Sequence, residues 1–216
     1  CEHMQREVEQ PLPVWANPEA LGFIALGVGI FSAAPFLCGW VHPMSAIATA
    51  PWGIAALIAF IIVTVILFRN RNIMGATSFG FLGVLLCGAI ALKAVQGLLM
   101  LLYNVQTPPP LAAGGLITDA MVWVAIAIVL IPIGYLAGYR SCPFAGFVWL
   151  ADIGVWMLAM VDFGKASHTV GIVGGYLIFI LGIWFLHMGI AELVNGTLRR
   201  TVVSIGKPLF KRPAPP

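Results

Sequence analysis

Long apolar stretches alternate with short polar segments along the whole chain. A helix needs roughly 20 apolar residues to cross the hydrocarbon layer of a bilayer. Stretches close to that length lie at 20–40, 51–68, 78–103, 120–138, 144–160 and 169–193. Three consecutive prolines mark 107–115 as a loop between the third and fourth stretches. The pattern predicts an all-α integral membrane protein with six transmembrane helices.

Composition indicates the same class of protein. The 216 residues are 61% hydrophobic and 9% charged, whereas soluble domains carry about 25% charged residues. We expect a polar N-terminal segment at 1–16, a six-helix transmembrane domain at 17–195 and a basic C-terminal tail at 196–216. The predicted location is the cell membrane, with the lipid bilayer as surroundings. The net charge of +3 comes from cations at the membrane edges and does not indicate a nucleic-acid partner.

Lysine and arginine residues are distributed unevenly between the two predicted sides of the membrane. One side holds Arg6, Arg69, Arg71 and Arg140 together with the cations of the tail. The loops on the opposite side hold Lys165. Because the side richer in lysine and arginine is normally cytoplasmic, both termini are predicted to be cytoplasmic.

The first span opens with a helix start signal. Asn17 is suited to the N-cap, Pro18 to the first helical position and Glu19 to the positive end of the helix dipole. Glycines such as Gly22 recur in this span and in the third and sixth spans. Since helices in lipid approach one another through small residues, these three spans are predicted to pack together.

Two ionisable residues fall in the middle of predicted spans, where such residues are costly and usually functional. Lys93 lies in the third span and Asp152 in the fifth. Three interpretations stay open: a buried ion pair that joins two helices, a pair that lines a pathway, or two unlinked groups that face water or a subunit interface. A protonated Asp152 could relay a proton beside a carboxylate. An ionised and unpaired Asp152 would instead favour a neutral or cationic solute.

Other titratable residues give weaker signals. His187, in the sixth span, is suited to interhelical hydrogen bonding or to proton relay. Glu192, near the end of that span, is suited to an ion pair with Arg199 or Arg200, or to the mouth of a pathway. The cysteines and histidines lack metal-ligand spacing, and no nucleophile–base arrangement or phosphate-binding loop is found. The sequence therefore predicts no metal, no cofactor and no enzymatic activity.

Three regions of the chain carry short motifs: NPEALGF at 17–23, ATSFG at 76–80, and AELVN at 191–195 followed by RTVVSIG at 200–206. These motifs resemble those of the acetate uptake transporter family, which includes the bacterial succinate–acetate permease. The first is similar to the family's NPxPLGL-type signature, the second to its NTFG segment, and the third to its AEVLNE and RTVLPIG. The regions occur in the family's order across nearly the whole chain.

The resemblance implies a six-helix transporter or channel for acetate and other small monocarboxylates. It also implies a homo-hexamer in which every protomer has its own pathway. The signature residues would lie beside that pathway; they are Asn17, Pro18, Glu19, Leu21 and Gly22. A narrow apolar constriction would include Leu26 and Cys87.

The chain departs from the family pattern at several of these positions. Glu19 replaces a small residue, Ala20 replaces a proline, and Cys87 stands where the family has a constriction tyrosine. The first prediction is a monocarboxylate pathway, with proton coupling as one possible mechanism. Two alternatives stay open: a pathway for a neutral or cationic small solute, or a membrane sensor or structural protein that does not transport.

Overall fold

Helices make up most of the chain described by the computed structural model, which covers residues 16–104 and 109–211. Its α-helices are α1 (Glu19–Leu37), α2 (Ala50–Arg69), α3 (Ile73–Ser78), α4 (Gly88–Leu102), α5 (Pro109–Gly138), α6 (Cys142–Asp162) and α7 (His168–Leu198). A 3-10 helix, Pro43–Thr49, precedes α2, and a π-helical segment, Phe79–Cys87, joins α3 to α4. With α3, the π-helical segment and α4 taken as one span, six helices are long and apolar enough to cross a membrane. The predicted all-α fold with six spans is confirmed. The predicted polar segment lies outside the described residues except for Ala16.

Two helix starts differ from the sequence-based prediction. The α5 helix begins at Pro109, so the prediction of a loop at 107–115 is wrong. Proline is tolerated in the first turn of a helix, where its missing N–H needs no partner. The α1 helix begins at Glu19, with Pro18 rather than Asn17 at the N-cap. The Asn17 side chain still bonds to the start of this helix, because its Oδ1 accepts the Glu19 N–H at 3.1 Å.

Glycines allow α1 and α7 to pack closely along their length. A Cβ atom at Gly175 would lie 2.3 Å from the Leu37 carbonyl oxygen, and one at Gly182 would lie 2.6 Å from the Ile30 side chain. Distances this short exclude any larger residue unless a helix moves. Of the three spans predicted to pack together, the first and sixth do so for a direct structural reason, whereas the third packs mainly elsewhere.

The third span packs mainly against α2. Gly83 in the π-helical segment lies against the ring of Phe60, which is fully buried. Along α2, Val63 and Leu67 are buried on the same face as Phe60, whereas Ile58 is exposed on another. The α2 helix is therefore an outer helix with one face toward the bundle.

The C-terminal tail folds back onto the end of the bundle where α5 and α6 meet. The Asn195 side chain bonds to both backbone groups of Val203: its Oδ1 accepts the N–H at 2.9 Å, and its Nδ2 donates to the carbonyl at 2.8 Å. The Lys207 carbonyl accepts the N–H of Cys142 at 2.7 Å. The two parts of the third resemblance region, AELVN and RTVVSIG, are thus in direct contact, and the tail is docked on the bundle.

Candidate functional site

Three cavities follow one another through the bundle. The mouth cavity, 350 Å³, is lined at one end by Glu19, Asn72 and Arg140. The middle cavity, 90 Å³, lies deeper, and the far cavity, 560 Å³, is lined by Lys93 and Asn104. Neighbouring cavities share lining side chains, so they form a series from one end of the bundle toward the other.

Apolar side chains separate these cavities. The residues shared by the mouth and middle cavities are all buried; they are Leu26, Leu82, Leu130, Leu181 and Phe185. The residues shared by the middle and far cavities are Leu37, Ile90 and Trp123. The series is therefore interrupted at two apolar constrictions.

The residues predicted for the constriction and the signature occupy different places. Leu26 lines both the mouth and the middle cavities, and Cys87 lines the middle cavity. Gly22 packs directly against the ring of Phe79, because a Cβ atom at Gly22 would lie 2.7 Å from that ring. Leu21 is exposed and lines none of these three cavities.

Four phenylalanines form the floor of the mouth cavity. The ring of Phe23 lies 5.1 Å from that of Phe79, 5.7 Å from that of Phe144 and 5.9 Å from that of Phe185, measured between centroids. Phe79 is the first residue of the π-helical segment, and such segments are frequent at functional sites. The floor gives the mouth cavity an apolar surface beneath its polar entrance.

A charged cluster stands at that entrance; we call Glu19, Asn72, Arg140 and Glu192 the mouth cluster. The Arg140 Nη2 lies 2.7 Å from Glu19 Oε2 and 2.5 Å from Glu192 Oε1. Asn72 Nδ2 donates to Glu19 Oε1 at 2.7 Å. The Arg140 guanidinium also lies 5.3 Å from the centroid of the Phe23 ring, a cation–π distance. With Arg140 and both glutamates ionised, the mouth cluster has a net charge of minus one.

The far cavity has a second charged cluster beside it. Lys93 forms an ion pair with Asp119 on α5. Trp123, which lines both the middle and far cavities, donates its indole N–H to Asp162 Oδ2 at 2.9 Å. Asp162 is close enough to Lys93 and Asp119 to interact with both electrostatically. Here too one cation stands among two carboxylates.

The structure does not join Lys93 to Asp152. Lys93 pairs with Asp119, whereas Asp152 is 8% exposed and its Oδ1 has no hydrogen-bond partner among the described residues. Asp152 is not a lining residue of the three cavities. The His187 Nε2 lies 2.9 Å from the Ser204 carbonyl oxygen, so this histidine bonds to the docked tail.

Glu192 has a different partner from the predicted one. It pairs with Arg140, not with Arg199 or Arg200, because the α5–α6 connection reaches the end of α7 across the mouth cavity. Sequence reasoning used Arg140 only to orient the chain. One feature of the sequence could have indicated this role. Arg140 lies in a very short connection between two apolar spans, and a charged residue in such a connection stays close to the bundle. Across residues 16–104 and 109–211, no group of three or more His, Cys, Asp or Glu side chains is placed to hold a metal ion.

Comparisons with known proteins give one informative likeness. No protein-family description matches the chain, and no curated protein matches it by sequence. Among solved structures the chain is similar to the bacterial acetate channel SatP, with a TM-score of 0.70 and 17% sequence identity. The superposition covers 89% of this chain and 99% of that chain. The chain is therefore an integral membrane protein with the fold of a bacterial acetate channel, as the resemblance of its sequence regions implied.

Proposed function

We propose that the protein is a transporter or channel of the cell membrane that conducts small monocarboxylates such as acetate. The observation that carries this proposal is the series of three cavities within one protomer, running between two charged clusters. The likeness in fold to an acetate channel supports it. A cavity series inside each protomer also agrees with the separate pathways that the sequence resemblance implied.

The size and chemistry of the middle cavity favour a small solute. A volume of 90 Å³ has room for several water molecules or one solute of similar size. Its walls, which include Leu26, Cys87 and Ala151, offer little to a charged group. An ion without partners is strongly disfavoured in such surroundings. A monocarboxylate that crosses together with a proton avoids this cost, which favours proton coupling.

A second candidate is a pathway for a neutral or cationic solute. Both charged clusters contain one more carboxylate than cation, counting Glu19 and Glu192 with Arg140, and Asp119 and Asp162 with Lys93. A net negative entrance attracts cations and repels anions. This arrangement is the specific reason to test cations beside acetate.

Uptake into vesicles separates these candidates. The purified protein is reconstituted into liposomes, and the initial uptake of labelled acetate, methylammonium and glycerol is measured against protein-free vesicles. Our proposal predicts protein-dependent uptake of acetate that exceeds the other two. Preferred uptake of methylammonium or glycerol would support the second candidate. Protein-dependent uptake of none of them would favour a membrane sensor or structural protein.

We also infer a homo-hexamer, on the basis of the sequence resemblance. Exposed apolar side chains on α2, such as Ile54, Ile58 and Val65, offer a surface for lipid or for neighbouring copies. Native mass spectrometry of the protein released from mild detergent gives the number of copies directly. A mass of six chains is expected, and a monomer under conditions that preserve other membrane oligomers would contradict it.

A further inference from the structure

We propose that Arg140 binds the carboxylate of the substrate at the mouth cavity, and that Glu19 takes up one proton as the substrate displaces it from Arg140. This inference rests on the proposed function. It assigns the coupling proton to a residue that the sequence analysis placed at the helix start and in the signature, without a role in proton coupling. It also predicts a stoichiometry of one proton for each carboxylate.

The geometry of Arg140 suits this exchange. Both carboxylates of the mouth cluster approach the same nitrogen, Nη2, at 2.7 and 2.5 Å. A guanidinium has further N–H donors on Nη1 and Nε, arranged as a planar fork that matches a carboxylate. Its side chain is 25% exposed and lines the mouth cavity. Among the residues that line the mouth cavity, Arg140 is the one that offers a positive charge to a carboxylate.

The floor below Arg140 suits the rest of a small monocarboxylate. The guanidinium stands over the ring of Phe23, which is surrounded by the other phenylalanines of the floor. A short alkyl group bound beneath Arg140 would rest on these rings, while its carboxylate faces the guanidinium. The mouth cavity therefore offers both halves of the substrate a complementary surface.

Burial distinguishes Glu19 from Glu192 as the group that takes the proton. The side chain of Glu19 is 8% exposed, whereas the side chain of Glu192 is 25% exposed. A buried carboxylate that loses its cation is more stable in the protonated form, whereas a partly hydrated one tolerates its charge. Asn72 remains a donor to Glu19 Oε1 in either state, so the protonated side chain keeps a partner.

Charge balance fixes the number of protons. The ion pairs of the mouth cluster join Arg140, Glu19 and Glu192; Tyr139 also lines the cavity. A hydrogen bond with Tyr135 raises the pKa of Tyr139, which keeps that phenol neutral near pH 7. The net charge is minus one before the substrate binds. It stays minus one when a carboxylate arrives and Glu19 becomes protonated, but it would reach minus two without the proton.

The exchange breaks and forms hydrogen bonds and moves one proton. The N–H···O bond from Arg140 Nη2 to Glu19 Oε2 is broken, and N–H···O bonds from Arg140 to the substrate carboxylate are formed. The proton passes from water to Glu19. When the substrate moves on toward the middle cavity, Glu19 transfers its proton to the substrate carboxylate, so the substrate leaves as the neutral acid and the Glu19 carboxylate binds Arg140 again.

Dependence of uptake on membrane potential tests this assignment. Full-length protein in liposomes is given a potassium gradient and valinomycin, and initial acetate uptake is compared at inside-positive and inside-negative potentials. An electroneutral exchange in the wild type predicts no dependence on potential. Glu19→Gln binds acetate without a proton, so its uptake becomes electrogenic and several-fold faster when the inside is positive. If one net charge crosses the membrane with each acetate, a potential of about 100 mV can change the rate of uptake by up to roughly fiftyfold. Glu192→Gln is the matched control and stays independent of potential, whatever its rate.

The possible outcomes separate the two proposals. Wild-type uptake that is absent, or electrogenic, overturns the inference, and its absence overturns the proposed function as well. Glu19→Gln uptake that remains independent of potential overturns the inference alone. Arg140→Lys gives a second test if Glu19→Gln does not fold. Loss of the guanidinium fork is expected to raise the acetate concentration for half-maximal uptake by roughly tenfold or more, and an unchanged value would refute the role of Arg140.

Discussion

Removal of the Arg140 guanidinium should reveal how strongly the mouth cluster stabilises the fold. Arg140→Ala leaves Glu19 buried, with the hydrogen bond from Asn72 but without its ion pair. Removing one partner of a buried ion pair typically destabilises a protein by about 3–5 kcal/mol. Since Arg140 is one-quarter exposed and Asn72 remains in place, we expect the lower end, about 3 kcal/mol. In a chain of this length, that loss lowers the thermal midpoint by roughly 6–12 °C.

The assay is thermal unfolding in detergent, followed by tryptophan fluorescence. Arg200→Ala serves as the control, because Arg200 is exposed at the start of the tail and its loss should change stability by less than about 0.5 kcal/mol. The double variant Glu19→Gln/Arg140→Ala removes the carboxyl group that was left without its cation and should recover at least about 1 kcal/mol of the loss. If the double variant is as unstable as the sum of its two single changes, Glu19 and Arg140 are not coupled and the reasoning is refuted.

Three further substitutions test the packing, the tail and the assignment of the proton. Gly175→Ala should destabilise the protein by about 2 kcal/mol, because its Cβ would lie 2.3 Å from a backbone oxygen. The control is Gly146→Ala, which adds a Cβ in open space and should not lower the thermal midpoint. Gly206→Ala should loosen the docked tail and speed its tryptic cleavage, because this residue has a φ of 86° and would place a Cβ 2.7 Å from a proline ring; an unchanged cleavage rate would contradict this. Asp152→Asn should leave uptake independent of membrane potential, unlike Glu19→Gln, and a dependence on potential in the Asp152 variant would return the coupling role to Asp152.

Much of the fold could be predicted because lipid imposes simple requirements on a sequence. Apolar length determined the six spans, and small residues such as Gly175 and Gly182 marked where α1 and α7 approach each other. The proline run at the start of α5 was misinterpreted, because Pro109 is compatible both with a loop and with the first turn of a helix. Local sequence does not distinguish these two cases.

The partners of the charged residues could not be predicted, because they depend on how helices rotate and pack. Lys93 and Asp152 were plausible partners as the two charges inside predicted spans, but the rotation of α4 and α5 brings Lys93 to Asp119 instead. In the same way, Glu19 and Glu192 lie at opposite ends of the sequence and meet through Arg140. The candidate site is therefore a property of the tertiary structure, although the sequence contained each of its residues.

Blocking the middle cavity tests the central claim, that small monocarboxylates cross each protomer through the three cavities. A Cβ atom at Gly29 would have one neighbour within 4 Å, the Cys87 sulfur at 3.3 Å, so Gly29→Leu places a side chain into the middle cavity without a clash of backbones. Gly146→Leu adds the same side chain at an exposed position with open space around it. In liposomes, with folding checked by gel filtration, we predict that Gly29→Leu abolishes protein-dependent acetate uptake and that Gly146→Leu retains it. Uptake by a folded Gly29→Leu variant at the wild-type rate would contradict the account.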